Sequence, residues 1–330
     1  MMRRALVTGA AGFIGSHVVR ALLDEGVAVR ALVLPGEDRR NLRGLGVEIV
    51  EGDIRRDDDV ARAVKSVDHV FHLAAVYRLA AAAGPTMHAV NVEGTRRLLD
   101  ASRRAGVRRF VHTSSIARFA GPRRMARETD AFGLGPSKNV YAKTKELAHE
   151  VAVSAAERGD DVVLVAPTGP IGPGDVGPTP TGRLLLRIAT LPVVPLVATT
   201  SNFADVRDMA KGHVLAAKHG KRGETYLLGT RNLSLWELAL MAASARGRSP
   251  AIVDVGHRLA RRAASVIELA SRALRSEPLL TPDAVSIAEM GLAADASKAV
   301  RELGLPQTPI ETAVRDAFAW FEREGYLRAA

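Results

Sequence analysis

The loop Thr8-Gly9-Ala10-Ala11-Gly12-Phe13-Ile14-Gly15 limits what this chain can fold into more than any other feature. It follows a short apolar run over 5–8 and opens a segment over 15–25, where Ile14, Val18, Val19, Leu22 and Leu23 fall on one helical face. Gly9 permits a tight turn, Gly12 lets backbone N–H groups approach a pyrophosphate, and Gly15 lets the helix close on the strand. The positive end of the helix dipole then faces that anion. The spacing is G-x-x-G-x-x-G rather than the commoner G-x-G-x-x-G, and its place between strand and helix gives it weight. Gly9, Ala11, Gly12, Phe13, Ile14 and Gly15 are therefore predicted to cradle a phosphate-bearing ligand.

The same strand–helix rhythm continues. Strands are predicted over 27–34, 47–51, 69–74, 109–113 and 162–166, with a short crossover helix near 61–64 and long helices over 86–105 and 139–158. Gly26, Gly106 and Gly159 end the helices. Six strands joined by right-handed crossovers give an α/β fold: a Rossmann-type doubly wound parallel sheet. Residues 167–182, dense in Pro and Gly, read as a long shaped loop. The remainder reads as a smaller mixed α/β substrate lobe. The expected division is a dinucleotide-binding domain over 1–175, rejoined by roughly 202–230, and a lobe over 176–330.

Composition narrows the chemistry. The 330 residues contain no Cys, which removes disulfides, thiolate metal sites and cysteine nucleophiles. Aromatic residues are 4% of the chain, too few for a base-stacking nucleic-acid surface, and no His/Asp/Glu cluster has metal-ligand spacing. The formal net charge is +10, with only eight of the 46 basic residues being Lys. Such a field attracts phosphates or a negative membrane face, but the arginines are spread along the chain. No signal-peptide pattern and no apolar run long enough to span a bilayer is present, so a soluble, cytoplasmic protein is expected. One segment, 257–275, is a basic amphipathic helix, with Leu259, Ala263, Val266, Ile267, Ala270 and Leu274 beside Arg258, Arg261, Arg262, Arg272 and Arg275. It can touch a membrane peripherally. Packing that stripe on the second lobe is the more ordinary outcome.

A second constellation carries chemistry. Tyr141 and Lys145 are four residues apart, on one helix face. An ammonium beside a phenol stabilises the phenolate and is predicted to lower the Tyr141 pKa, which suits proton transfer at a carbonyl or alcohol carbon. Thr113, Ser114 and Ser115 end the preceding strand and offer hydroxyls to the same oxygen. Asp53 and Ile54 after strand three, and Leu73, Ala74 and Ala75 after strand four, stand where adenosine binds in such sheets. Tyr77, His88 and His112 are further pocket candidates, with core or surface roles as the alternative.

These motifs together resemble the extended short-chain dehydrogenase/reductases, the NAD-dependent epimerase/dehydratase group: TGAAGFIG at 8–15, GDI at 52–54, HLAA at 72–75, NVEGTRRLL at 91–99, HTSS at 112–115 and YAKTK at 141–145. The resemblance implies Tyr141 as acid/base, Lys145 on the nicotinamide ribose, Ser115 on the substrate oxygen with Ser114 as fallback, and Asn91 as the anchor of a relay. It implies Pro167 and Thr168 beside the nicotinamide. It also implies a homodimer through the two long helices.

Within that group the second half is similar to dihydroflavonol-reductase-like, 3β-hydroxysteroid-dehydrogenase-like and hopanoid-associated sugar epimerase members, with Asn202-Phe203-Ala204-Asp205-Val206-Arg207-Asp208 matching their NFVDVRD segment. Asn202 stands where nucleotide-sugar epimerases carry an arginine, the natural clamp for a sugar diphosphate. Arg183, Arg258 or Arg261 can substitute. The expectation is an NAD(P)-dependent oxidoreductase acting on a small or lipophilic carbonyl or alcohol. A sugar-nucleotide epimerase and a catalytically silent coenzyme-binding regulator are the alternatives. NAD and NADP stay open: Arg39 or Arg40 can reach a 2′-phosphate, while Glu37 or Asp38 can accept ribose hydroxyls.

Overall fold

The computed structural model describes residues 2–77, 84–119, 125–131, 139–273 and 282–328. Its first half runs β1 (Arg4–Thr8), α1 (Phe13–Asp24), β2 (Ala28–Val33), β3 (Glu48–Glu51), α2 (Asp57–Val64), β4 (His69–His72), α3 (Gly84–His88), α4 (Thr95–Arg104), β5 (Arg109–Thr113), α5 (Val140–Glu157) and β6 (Val162–Pro167). The second half adds β7 (Gly169–Ile171), α6 (Pro180–Thr190), β8 (Val193–Leu196), β9 (Thr200–Asp205), α7 (Val206–His219), β10 (Thr225–Leu228), β11 (Arg231–Ser234), α8 (Leu235–Ala245), β12 (Ala251–Asp254), α9 (His257–Ala273), α10 (Pro282–Met290), α11 (Ser297–Leu303) and α12 (Ile310–Arg323).

The main sheet is parallel throughout, in the order β10-β6-β5-β4-β1-β2-β3. It is the doubly wound Rossmann-like α/β arrangement expected, with a seventh strand, because β10 pairs with β6. Alternate residues of each strand face opposite layers. Ala5, Val7, Val29, Val111 and Val163 pack under α1 and α7, while Leu6, Val70, Phe110 and Leu164 pack under α2, α4 and α5. A separate core joins Leu185, Ile188, Phe203, Leu238, Val314, Phe318 and Phe321, and small sheets β11-β9-β7 and β12-β8 flank it.

Three local expectations are corrected. The helix predicted over 86–105 is interrupted by a π turn, Ala89–Gly94, between α3 and α4. The loop over 167–182 contains β7 and the start of α6, where Thr179 caps the helix by accepting from Gly182 N and Pro180 fills its first turn. The basic helix exists as α9, but the predicted stripe does not pack on the lobe. Ala260 and Ala264 are buried instead, against Val197, Val255 and Val285, while Leu259 and Val266 face solvent. Small side chains let the helix lie close to its neighbours. Leu274 and Arg275 lie outside the described residues.

Candidate active site

Gly9 adopts the left-handed region at φ +65°, and a Cβ there would sit 2.8 Å from the Ala74 nitrogen. A Cβ on Gly15 would overlap the Gly9 carbonyl oxygen. Gly12 N–H donates to that same carbonyl at 3.1 Å, and Gly12 starts α1 with no side chain capping it and no acid in the first turn. The first-turn amides of α1 therefore point outward at the positive end of the helix dipole, beside the carboxyl ends of β1 and β4. These residues fit a dinucleotide pyrophosphate by shape and charge. Ala11 is held from the far side, where Asn41 Nδ2 donates to the Ala11 and Gly174 carbonyls at 3.3 and 2.9 Å. His17 Nε2 lies 2.7 Å from the Pro173 carbonyl, so the Pro/Gly segment is tied to the glycine loop. Asn41 and His17 carry no local signal that points to this place.

The other coenzyme-side candidates divide. Leu73 and Ala74 sit against the loop, their amides donating to the Thr8 carbonyl and hydroxyl at 3.2 and 3.1 Å, and exposed Ala75 follows them. Asp53 is held by Arg55, whose guanidinium pulls its carboxyl below the usual range. Ile54 is buried in the core under Gly94, not in the cradle. Arg39 pairs with Glu51, Arg40 pairs with Asp38 at 2.8 Å, and Glu37 accepts from Leu34 N at 3.0 Å. Each of these candidates for a coenzyme ribose or its 2′-phosphate therefore has a partner within the protein.

The candidate catalytic residues meet at the end of β5. Asn139 caps α5 by accepting from Ala142 N at 2.7 Å, which sets Tyr141 and Lys145 one turn apart. The Ser115 hydroxyl accepts from Ala117 N at 3.2 Å and lies near enough to the Tyr141 phenol to favour its phenolate. Ser114 turns away to His149 Nδ1 at 3.0 Å. Lys145 Nζ donates to the Thr113 carbonyl at 2.5 Å. Loss of water, the largest influence on both, pushes the Tyr141 phenol up to about 12 and the Lys145 ammonium down to about 8. The lowered phenol pKa expected from the Tyr/Lys spacing is thus reversed, because burial outweighs the ammonium, which donates to a backbone carbonyl instead.

Tyr77 is more than a surface residue. Its ring meets that of Tyr141 edge-on at 4.7 Å, and burial raises its phenol pKa although Arg183 of α6 acts in the opposite sense. Thr168 donates to the Leu228 carbonyl at 3.1 Å, and Pro167 pairs with Leu228 at the end of β6. Asn202 is fully engaged: its amide donates to Asn232 at 2.9 Å and its oxygen accepts from Thr230 N at 3.1 Å. Leu292 packs beside Tyr141, Ala117 and Ala142, and its amide donates to the Thr200 carbonyl at 2.9 Å. Thr200, with Leu196, Val197, Ala198 and Trp236, lines a cavity of about 360 Å³. No cluster of His, Asp and Glu that could hold a metal ion occurs among the described residues.

Asn91, implied by the resemblance to anchor a relay, is held between Val76 and α5. Its side chain accepts from Val76 N at 2.8 Å and donates to the Val76 carbonyl and the Thr144 hydroxyl at 3.1 and 3.0 Å. Its hydrogen bonds reach α5 through Thr144. Behind it runs a buried chain: Ala74 N to Thr8 Oγ1, Thr8 Oγ1 to His72 Nδ1 at 2.8 Å, His72 Nε2 to Thr95 Oγ1 at 2.8 Å, and Thr95 Oγ1 to the Asn91 carbonyl at 2.6 Å. Only one placement of hydrogens serves every link. Thr95 must donate to the carbonyl, so His72 Nε2 donates to Thr95 and Nδ1 accepts from Thr8. Thr144 then donates to the Tyr141 carbonyl at 2.8 Å. The glycine loop and the Tyr141 helix are thus joined through buried hydrogen bonds of Thr8, His72, Thr95, Asn91 and Thr144. His112, 5.7 Å from His72, has no hydrogen-bond partner on either nitrogen among the described residues.

A glycine cradle at the carboxyl edge of a parallel sheet, facing a Ser/Tyr/Lys cluster, defines a nucleotide-coenzyme enzyme of the short-chain dehydrogenase type. The chain belongs to the NAD dependent epimerase/dehydratase family, whose profile matches residues 5–229, and is an NAD(P)-dependent oxidoreductase of that superfamily. It is 37% identical over 328 residues to a Synechocystis sp. protein provisionally named dihydroflavonol 4-reductase, covering 98% of this chain and 95% of that one. It is 32% identical to sterol demethylase protein B of Methylococcus capsulatus, covering 98% and 99% of the two chains. The crystal structure of gox2253 matches it with a TM-score of 0.86 at 36% identity, covering 98% of this chain and 99% of that one.

Proposed function

We propose that the protein interconverts a ketone or aldehyde and the corresponding alcohol on a lipophilic small molecule, with Tyr141 as the acid/base. The observation that carries this reading is that α5 brings Tyr141 and Lys145, one turn apart, to the end of β5, where Lys145 donates to the Thr113 carbonyl and Ser115 lies near the Tyr141 phenol. NAD or NADP, when bound, supplies or accepts the hydride. In the reducing direction Ser115 donates a hydrogen bond to the carbonyl oxygen, and the Tyr141 hydroxyl delivers its proton to that oxygen as it becomes an alcohol. A phenol with its pKa pushed up to about 12 stays protonated at neutral pH, ready to donate. The Lys145 ammonium balances the charge left on the phenolate, and its pKa of about 8 means that the cation is lost as pH rises through that value. Reduction is therefore expected to decline above pH 8.

Two features support a lipophilic substrate. The cavity that Thr200 lines offers Leu196, Val197, Ala198 and Trp236 as an apolar surface, beside the polar Thr199, Ser234 and Asp254. Asn202 is locked in amide bonds where a sugar diphosphate would need a guanidinium. The names of the dihydroflavonol and sterol relatives agree with ring-bearing apolar substrates. The division into a coenzyme domain over 1–175, rejoined by 202–230, and a substrate lobe over 176–330 belongs to the same reading. So does pairing of two copies through the groove beside α4 and α5, which His88, Val92, Leu99, Leu147 and Val151 help to line.

A panel of ketones, alcohols and sugar nucleotides, followed at the nicotinamide absorbance with both coenzymes, tests the proposal. Net coenzyme turnover with an apolar ketone or alcohol is expected, and Tyr141→Phe should lower kcat by about 10²-fold or more with the fold intact. Undiminished activity in Tyr141→Phe removes the acid/base assignment. Conversion of a sugar nucleotide with no net coenzyme change would make the protein an epimerase. Coenzyme binding without turnover on the panel would favour the silent regulator.

A further inference from the structure

We propose that α9 docks the protein on an anionic lipid surface. This 17-residue helix buries one side, where Ala260 and Ala264 pack on Val197, Val255 and Val285 and Ser271 is also buried. The opposite side carries Leu259, Val266 and Leu269, exposed by 60, 68 and 69%, more than any other large apolar side chain among the described residues. Leu259, Ala263, Val266 and Ala270 follow the i, i+4, i+7, i+11 spacing of one helix face, and both alanines are exposed too. Single exposed leucines are ordinary, whereas a continuous row on one helix needs a partner.

The charges beside the row identify that partner. Arg258 and Arg262 are exposed on this side and have no ion pair among the described residues. Arg261 points to the inner edge, where it pairs with Glu289, and the sole acid of the helix, Glu268, is half-buried. An apolar row flanked by free guanidiniums matches the boundary of a bilayer, with acyl chains below and phosphates at the height of the arginines. A second copy fits less well. Two-fold pairing of this face would bring the free arginines of both copies together with no exposed acid on the face to receive them. No described helix is long and apolar enough to cross a membrane, so contact is along the surface. Val197 packs against the inner side of α9 and also lines the cavity beside Thr200, so docking would set that cavity one helix thickness from the lipid boundary.

Flotation of the full chain with vesicles of phosphatidylcholine alone, or of phosphatidylcholine and phosphatidylglycerol, tests this. Binding to the anionic vesicles, weakened by salt, is expected, with little binding to neutral ones. The triple substitution Leu259→Ser, Val266→Ser, Leu269→Ser should reduce partitioning by at least about tenfold. Arg258→Gln with Arg262→Gln should reduce it by about tenfold. As a control for net charge, Arg103→Gln with Arg104→Gln should change it by less than about threefold. Circular dichroism and coenzyme binding verify that each variant is folded. The proposal fails if the unaltered protein ignores anionic vesicles or if the triple variant floats as well as it does. It also fails if the triple substitution changes only the mass in light scattering, since α9 would then be a subunit contact.

Discussion

Two neighbouring histidines on β4 and β5 show how little residue type alone decides. His72 and His112 face each other in the sheet register, both are buried, and burial drives both pKa values down, to about 3 for His72. His72 accepts from Thr8 and donates to Thr95, so its loss leaves two buried hydroxyls short of a partner. His72→Leu is expected to destabilise the protein by about 2–4 kcal/mol in urea titration and to raise the KM for coenzyme more than it lowers kcat. His112 gives up no hydrogen bond, and His112→Leu should cost less than about 1 kcal/mol or stabilise. Equal losses from the two substitutions would show that packing, not the polar chain, makes His72 matter. In the sequence both read as strand residues with no distinguishing mark. The distinction comes from Thr8 and Thr95, which only the fold brings to one of the two rings.

At the scale of elements, the seating of α1 on the glycine loop decides whether the cradle forms. A methyl group on Gly15 would overlap the Gly9 carbonyl, so Gly15→Ala must lift the helix start from the loop. We expect coenzyme affinity to fall at least about tenfold, or about 1.4 kcal/mol, in a fluorescence titration. Gly26→Ala is the control: its φ of +72° costs backbone strain, yet nothing lies within 4 Å of the added carbon and the cradle is untouched. Stability should drop while affinity holds, and a parallel loss of affinity would refute the seating argument. The cradle was legible because glycine spacing states a local need directly. The π turn was not, since the hydroxyl of Thr95 bonding back to the Asn91 carbonyl leaves no periodicity to read. The start of α6 was hidden for a different reason: Thr179 and Pro180, good helix starters, stand in a run of loop formers. In α9 the stripe was visible but not its direction, because alanines won the buried side through closer approach.

Across the whole molecule, what sequence reading misses is contact between distant segments. The binding of Asn41 and His17 to the 173–174 carbonyls, and the approach of Leu292 to Tyr141, join residues with no shared pattern. The buried histidines are the same kind of property, and they set the pH response. Loss of water lowers His17 and His213 to about 4, His72 and His149 to about 3, and His112 well below 6.5. Unfolded, each takes up a proton near 6.5, so the unfolded chain binds more protons and stability falls as pH drops from 6.5 toward 4. Each histidine contributes about 1.4 kcal/mol per pH unit in that window, and five together rival a typical total stability of about 5–15 kcal/mol. Asp175 opposes them: burial lifts its carboxyl to about 6, so below that value its folded form holds a proton the unfolded form releases. Burial raises Glu128 and Glu146 too, but His69 is lowered with the other five histidines, and three carboxyls do not offset six imidazoles. Lys145, lowered to about 8, acts in the same sense as the histidines from there to 10.5, which puts maximum stability on the alkaline side. Thermal midpoints from pH 8 to pH 5 should therefore fall steeply below about 6, with a shallower slope in His112→Phe. A midpoint that stays level to pH 5 would mean that the histidines become protonated inside the fold.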